Sequence, residues 1–509
     1  MFYPLTVRDF IDRAEHVYPD RVGVVDETDQ PAPSWGEVTY RELARRARAQ
    51  AAALDRLGVP VGGRVAIVSH NSARLLASFF GVSAYGRILV PVNFRLSRAE
   101  IDYIVGHCGA DVLLYDPDLA ETVATIHCRH RFELGESDAG LFLGSDDPAP
   151  WAGDEAATAT INYTSGTTAR PKGVQLTHRN LWLNAVTFAL HAGVNDTDVY
   201  LHTLPMFHAN GWGHPYAATG MGVRQIVIRK IDGAEILRRV ERHGATYLCA
   251  APAVVTSVLD AARTWEGEIP GRDRVRIIVA GAPPPTITIE RVREELGWEF
   301  IQIYGLTETS PLVTMSRFRS EWGELSSREQ ARRLVRAGAP TIGVRIAVDA
   351  DGEVLTASNH NLDGYWDQPD VTETVLAGGW FHTGDGGTID DEGYLVIVDR
   401  KKDVIITGGE NVSSIEVEDV LNSHPAVREV AVIGVPDQKW GELVTALVVT
   451  DGSAVTEADI IAHCRASLAG YKTPKRVEFR DELPRTATGK LQKFKLREPF
   501  WEGLDRKVN

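Results

Sequence analysis

The chain has 509 residues, more than one hydrophobic core usually holds, so two or more domains are expected. Its hydrophobic and charged fractions, 44% and 24%, are those of an ordinary globular protein. A formal net charge of -15 argues against a general binder of nucleic acid or of anionic membrane.

The first residues lack a basic stretch followed by an apolar one, so no signal peptide is expected. Residues 37–57 place Leu43, Ala47, Ala51, Leu54 and Leu57 at helical spacing and end at Gly58. A short apolar strand is read at 64–69, a helix at 73–84 and a strand at 88–92. The apolar run 75–94 is interrupted by Arg87 and contains Gly81, Gly86 and Pro91. It therefore reads as buried helix and strand, not as a membrane span. Strand-like runs recur at 159–163, 226–229, 247–250, 276–280 and 299–303. Helix-like segments such as 179–191 and 234–243 lie between them, and this alternation predicts α/β layers. Residues 319–336 read as a surface insertion that carries a helix.

Beyond residue 340 the pattern changes to short strands, with turns at Asp351-Gly352 and Asp391-Glu392-Gly393. After Asp399 comes a smaller α+β pattern: helix 415–423, strands 427–435 and 444–449, helix 457–469 and strand 476–480. Residues 400–509 carry 17 Lys+Arg against 17 Asp+Glu, so the whole net charge falls in residues 1–399. That shift predicts a boundary near residue 400. Cys108, Cys128, Cys249 and Cys464 are scattered, which suits a reducing cytoplasm. His107-Cys108 and His127-Cys128-Arg129-His130 lack the paired spacing of a zinc site and read as structural residues.

The segment 163–174 carries the strongest chemical signal. Tyr163, Thr164, Ser165, Thr167 and Thr168 supply hydroxyls around Gly166, with Lys172 close behind. It is read as a loop after a strand and before a helix. Backbone N–H groups of a glycine loop can point at phosphate oxygens, hydroxyls add donors, and a lysine neutralises charge. A Walker loop is excluded, because Lys172 is preceded by Pro171 and followed by Gly173, not by Ser or Thr. A serine hydrolase elbow at Ser165 is excluded for want of G-x-S-x-G.

Other short motifs appear in order along the chain. They are Pro205-Met-Phe-His208, Gly281-Ala282-Pro283, Tyr304-Gly-Leu-Thr307-Glu308, Trp380-Phe-His-Thr-Gly-Asp385, Asp399-Arg400-Lys401-Lys402, Gly408-Gly409-Glu-Asn411 and Pro484-Arg-Thr-Ala-Thr-Gly-Lys490. With the loop at 163–174 they resemble the adenylate-forming superfamily of acyl-CoA synthetases, peptide-synthetase adenylation domains and beetle luciferases. The likeness spans nearly the whole chain and is nearest to medium- and long-chain fatty acyl-CoA synthetases.

The resemblance implies an α/β fold. A large N-terminal domain, residues 1–399, would hold layered α/β subdomains and a β-rich subdomain. A small mobile α+β domain, residues 400–509, would turn about a hinge near Lys402. It implies ATP, Mg²⁺ and CoA as cofactors and co-substrates. Residues 163–174 would grip the triphosphate. Thr164 and Glu308 would hold Mg²⁺ as hard oxygen ligands. Thr307 would contact the α-phosphate, Tyr304 and Gly281-Ala282-Pro283 would sandwich adenine, and Asp385 would accept from both ribose hydroxyls, with Arg400 in support. Lys490 would bridge the incoming carboxylate and the nucleotide in the first half-reaction. Gly408 and Gly409 would line the path of the CoA thiol in the second.

The acid is read from 207–216. His208 stands where α-amino-acid enzymes carry Asp, so α-amino acids are disfavoured. His208, Gly211, Trp212 and His214 are substrate-pocket candidates: the resemblance implies that His208 guards the thiol entrance and contacts the acyl carboxylate and that Trp212 gates the acyl tunnel, while His214 is a polar departure from the fatty-acid pattern. Fatty, branched and aryl acids all fit. The expected activity is an AMP-forming acid–thiol ligase giving acyl-CoA. The alternative is a stand-alone adenylating enzyme that loads a carrier protein. The expected site is cytoplasmic, with no nucleic acid, no integral membrane segment, and room for a homodimer.

Overall fold

The computed structural model describes residues 1–164, 170–400, 403–486 and 491–502. Among the described residues the strands assemble into four sheets. One has seven strands, in the order Gly364–Tyr365, Lys172–Thr177, Thr158–Thr164, Ile88–Val92, Arg64–Val68, Val112–Tyr115, His130–Glu133. The strands Ile88–Val92, Arg64–Val68 and Val112–Tyr115 in its middle run parallel and are buried on both faces, which is why Ile88–Val92 is a continuous apolar run. A second sheet has nine strands and centres on Val199–His202, Tyr247–Ala250, Arg276–Val279 and Glu299–Tyr304, also parallel. The largest apolar core lies between these two sheets and takes in helices Tyr40–Arg56, Ala73–Gly81, His178–Ala192 and His214–Met221.

A four-stranded antiparallel sheet, Val344–Val348 through Leu395–Arg400, forms the β-rich part. Beyond it, residues 405–479 build a five-stranded sheet with its own apolar clusters on two faces. No helix among the described residues is long and apolar enough to cross a membrane.

Most expected elements stand within a few residues of their reading, with four differences. Residues 37–39 form a strand before helix Tyr40–Arg56. The helix expected over 457–469 is Glu457–Arg465. The segment 163–174 does not lead straight into a helix. Lys172–Thr177 is a strand antiparallel to Thr158–Thr164, with Thr164 paired to Lys172, and the helix begins only at His178. The insertion at 319–336 is not wholly superficial. Trp322 is 4% exposed and joins the core on the outer face of the nine-stranded sheet, with the guanidiniums of Arg333 and Arg336 over its ring.

One buried charge pair pins helix Ala73–Gly81. The Arg74 side chain, 1% exposed, donates from Nη2 to Asp138 Oδ2 at 2.6 Å, and Trp35 Nε1 donates to the same oxygen at 2.9 Å. Removing the carboxylate leaves a buried guanidinium uncompensated. Asp138→Ala is expected to cost about 3 kcal/mol, read as a lower urea midpoint by tryptophan fluorescence.

Candidate active site

The parallel strands deliver their C-terminal ends to a single cleft of about 2170 Å³. Ala251 continues strand Tyr247–Ala250 into it, Gly281 and Ala282 lie just beyond Arg276–Val279, and Tyr304 and Gly305 end Glu299–Tyr304. Two glycines here have structural reasons. Gly281 sits at φ +98°, a conformation side chains avoid. A Cβ on Gly305 would lie 1.5 Å from the Pro311 carbonyl oxygen, so only glycine lets the chain turn against that segment.

Tyr304 and Asp385 meet on one wall. The Tyr304 hydroxyl donates to Asp385 Oδ2 at 2.8 Å, and Arg400 Nε lies 3.2 Å from Oδ1. Register explains the second contact: Asp385 and Arg400 are directly paired on strands Phe381–Ile389 and Leu395–Arg400. Burial, reinforced by the Asp385 charge, holds the Tyr304 phenol far above its ordinary pKa, so it remains a donor. Asp385 is aimed from behind: its N–H donates to Thr383 Oγ1 at 3.1 Å, and the Gly384 N–H donates to Glu353 Oε1 at 2.8 Å. Glu353, Asp349 and His382 form the one group of three metal-capable side chains among the described residues. Asp349 Oδ1 already accepts the N–H groups of Asp351 and Glu353, so the group braces this turn.

A second wall carries Glu308, Tyr365 and Lys172. The Tyr365 hydroxyl donates to Glu308 Oε1 at 3.0 Å, and the Lys172 ammonium stands 5.1 Å from the centre of the Tyr365 ring. Thr164 and Thr307 also line the cleft. Tyr163 beside them hydrogen-bonds His107 Nδ1 at 2.7 Å, which gives that histidine a positioning task.

His208 lines the cleft with Phe207 and Ala209. The next residues, Ala209, Asn210, Gly211 and Trp212, all have positive φ, between 43° and 59°, and form a left-handed turn. Such a turn strains every residue with a Cβ. Asn210, a residue that tolerates this conformation, anchors it: Asn162 Nδ2 donates to its Oδ1 at 3.0 Å, and its own Nδ2 donates to Thr160 Oγ1 at 2.9 Å. Behind the turn, Trp212 is 4% exposed and His214 fully buried, in the same apolar cluster as Phe188, Tyr200 and Tyr247. Gly211, Trp212 and His214 therefore lie behind the cleft wall, not on it. Burial pushes His214 down to about 3, so its ring is neutral, and neither ring nitrogen meets a partner among the described residues.

The C-terminal unit closes the cleft. Arg485, Thr486 and Leu491 line it. Gly408 and Gly409 do not: they form the exposed turn between strands Ile405–Thr407 and Glu410–Val412. The Lys493 ammonium is 2.8 Å from Glu418 and also meets the Ser414 hydroxyl. Burial opposes its charge, but Glu418 and Asp399 together hold it above the ordinary lysine value. Ser165, Gly166, Thr167, Thr168, Lys402 and Lys490 lie outside the described residues. Sequence pattern does not single out Tyr365, Asn210 or Glu353. Only Asn210 carries a local signal, the tolerance of Asn for positive φ.

The arrangement is that of an adenylate-forming enzyme: charged and donor groups on two walls of a cleft between a large α/β unit and a small α+β unit. Residues 11–366 match the family model for AMP-binding enzymes, and residues 416–490 match that for the AMP-binding enzyme C-terminal domain. The chain belongs to the family of AMP-binding enzymes. Among curated relatives, a 4-hydroxybutyrate–CoA ligase of Metallosphaera sedula is 37% identical, over 97% of this chain and 94% of that one. A 2-methylpropanoate–CoA ligase of Humulus lupulus is 36% identical, over 97% and 95%. Among solved structures, an anthranilate CoA ligase with anthranoyl-AMP superposes with a TM-score of 0.87 at 26% identity, over 98% of both chains. A Mycobacterium tuberculosis fatty acyl CoA synthetase gives 0.74 at 32%, over 98% and 99%.

Asp385→Asn keeps the shape of the side chain and removes the charge that faces Arg400. The Michaelis constant for ATP is expected to rise about tenfold, measured by acid-dependent pyrophosphate release.

Proposed function

We propose that this ligase acts on a small aliphatic acid and that its two half-reactions use two poses of the C-terminal unit. In the first step a carboxylate oxygen attacks the α-phosphorus of ATP and the bond to pyrophosphate breaks, leaving acyl-AMP. In the second, the CoA thiol attacks the acyl carbon and AMP leaves. The observation that carries the reading is the convergence of Tyr304, Asp385 and Arg400 with Glu308, Tyr365 and Lys172 on one cleft. The first group suits a nucleoside: Asp385 can accept from ribose hydroxyls, with Tyr304 and the Gly281–Pro283 segment against adenine. The second group suits a triphosphate and its metal.

A magnesium ion fits the donor set. Glu308 has only its Oε1 engaged among the described residues, and Thr164 adds a hydroxyl, both hard oxygens. When bound, the ion supplies positive charge to the phosphates. Lys172, Thr307 and the segment 165–169 are assigned to the phosphate oxygens. Lys490 is assigned to the incoming carboxylate. Thr486 and Leu491, on either side of its segment, line the cleft. Lys402 is assigned to the hinge between residues 1–399 and 400–509. Gly408 and Gly409 are assigned to the thiol path in the other pose.

A small acid is favoured by the packing of Trp212 behind Ala209 and by relatives named for 4-hydroxybutyrate, 2-methylpropanoate and acetate. His208 on the wall, not an acid, argues against α-amino acids. CoA is favoured over a carrier protein as acceptor because these relatives are named CoA ligases. The four free cysteines accord with a reducing compartment.

Pyrophosphate release is expected with short aliphatic acids, and mass analysis should find the acyl group on CoA. Silence with every acid of a broad panel would defeat the assignment. Lys490→Ala should lower acyl-adenylate formation more than about a hundredfold while sparing thioester formation from supplied acyl-AMP, as expected when one positioned charge serves a single transition state. Equal loss of both steps would refute the two-pose reading.

A further inference from the structure

Among the described residues, hydrogen bonds hold the C-terminal unit to the large unit in two places of different character. The first is the strand end beside residues 401–402. There the Asp403 and Val404 N–H groups donate to the Arg400 carbonyl, the Ser413 hydroxyl donates to the Val398 carbonyl, and the Ser414 N–H donates to Asp399 Oδ2 at 3.0 Å. The second place lies on helix Ser414–Asn422, where Asp419 reaches across the cleft. The Thr286 N–H donates to Asp419 Oδ1 at 2.8 Å, and the Thr286 hydroxyl donates to Oδ2 at 3.0 Å. Among the hydrogen bonds between described residues on opposite sides of 401–402, this pair is the one not made at the strand end.

We propose that Asp419 is a positioning residue for the first half-reaction, latching the C-terminal unit onto Thr286 in the adenylate-forming pose. The inference rests on the two-pose reading above. Its geometry is selective. Two donors of one residue meet two oxygens of one carboxylate, which fixes direction as well as distance, and a charged acceptor roughly doubles the strength of each bond. Thr286 is also rigidly placed. It comes directly after Pro283, Pro284 and Pro285, whose rings fix φ, and these lead back to Gly281 at the cleft. The latch thus ties the small unit to the very segment assigned to adenine.

The latch belongs to one pose only. With it made, Arg485, Thr486 and Leu491 line the cleft while the Gly408-Gly409 turn stands exposed. A rotation about 401–402 displaces points far from that axis most, so a contact this directional breaks when the unit turns. Asp419 therefore weights the balance between poses without touching the reacting atoms.

The test measures both half-reactions separately in the full-length enzyme: pyrophosphate release with ATP and acid, and thioester formation from supplied acyl-AMP and CoA. Asp419→Ala is expected to slow the first about tenfold, the effect of losing a charge-assisted pair, and to leave the second unchanged or faster. Thr286→Ala keeps the N–H and loses the hydroxyl, so it should slow the first step less, about threefold. Thr286→Ser restores the hydroxyl and should restore the rate. Lys490→Ala is the control. If it separates the half-reactions and Asp419→Ala does not, the latch is wrong and the two poses stand. If neither variant separates them, both fall.

Discussion

The working parts of this molecule hang from the two-residue alternation of one strand. Successive residues of Leu395–Arg400 point to opposite faces, so its last two side chains serve different partners. Arg400 faces the cleft and meets Asp385. Asp399, 3% exposed, instead accepts the N–H and hydroxyl of Ser414, in the first turn of the helix beyond the junction. One strand end therefore couples the charge pair on the cleft wall to the attachment of the C-terminal unit. A one-residue slip in register would exchange the two tasks and destroy both.

The rest of the fold serves to hold that strand end opposite the right groups. Parallel strands in both large sheets are buried on two faces and cannot shift without opening cores on each side. Their C-terminal ends supply the loops that line the cleft, so functional residues sit on short connections from rigid elements. Much of the wall is braced before any ligand arrives. Glu353 holds Gly384, Thr383 holds Asp385, Tyr365 holds Glu308, and Asn210 holds the turn after His208. Such bracing places charge where it is needed without later reorganisation.

Sequence makes some of this legible and not the rest, for physical reasons. The parallel strands are readable because double burial forces unbroken apolar runs, as at 247–250 and 276–280. The two hairpin turns at Asp351-Gly352 and Asp391-Glu392-Gly393 are readable because a tight turn needs residues tolerant of positive φ. The charge balance of 400–509 points to the unit whose own sheet spans 405–479. After the segment that begins at Tyr163 the expected helix gives way to the strand Lys172–Thr177, because such a strand and a helix start share small and polar residues. Trp322 reads as surface because arginines dominate its neighbourhood, yet those guanidiniums pack on the ring. Partners set by long-range register, such as Asp385 with Arg400 or Tyr365 with Glu308, leave no trace in local pattern. The ordered motifs bring the right residues together in expectation, but not the hydrogen bonds that hold them.

The left-handed turn after His208 bears on how easily this enzyme changes over evolutionary time. At an ordinary core position, trimming a tryptophan to glycine leaves a cavity and a looser backbone, costing about 3 kcal/mol or more. Trp212 sits at φ +59°, where glycine is at ease and a side chain costs roughly 1 kcal/mol. Part of the penalty for losing the ring is thus returned by the backbone. Trp212 is thus a large core residue whose loss the fold partly cushions. Single substitutions can be tolerated there that would be purged elsewhere in the same core.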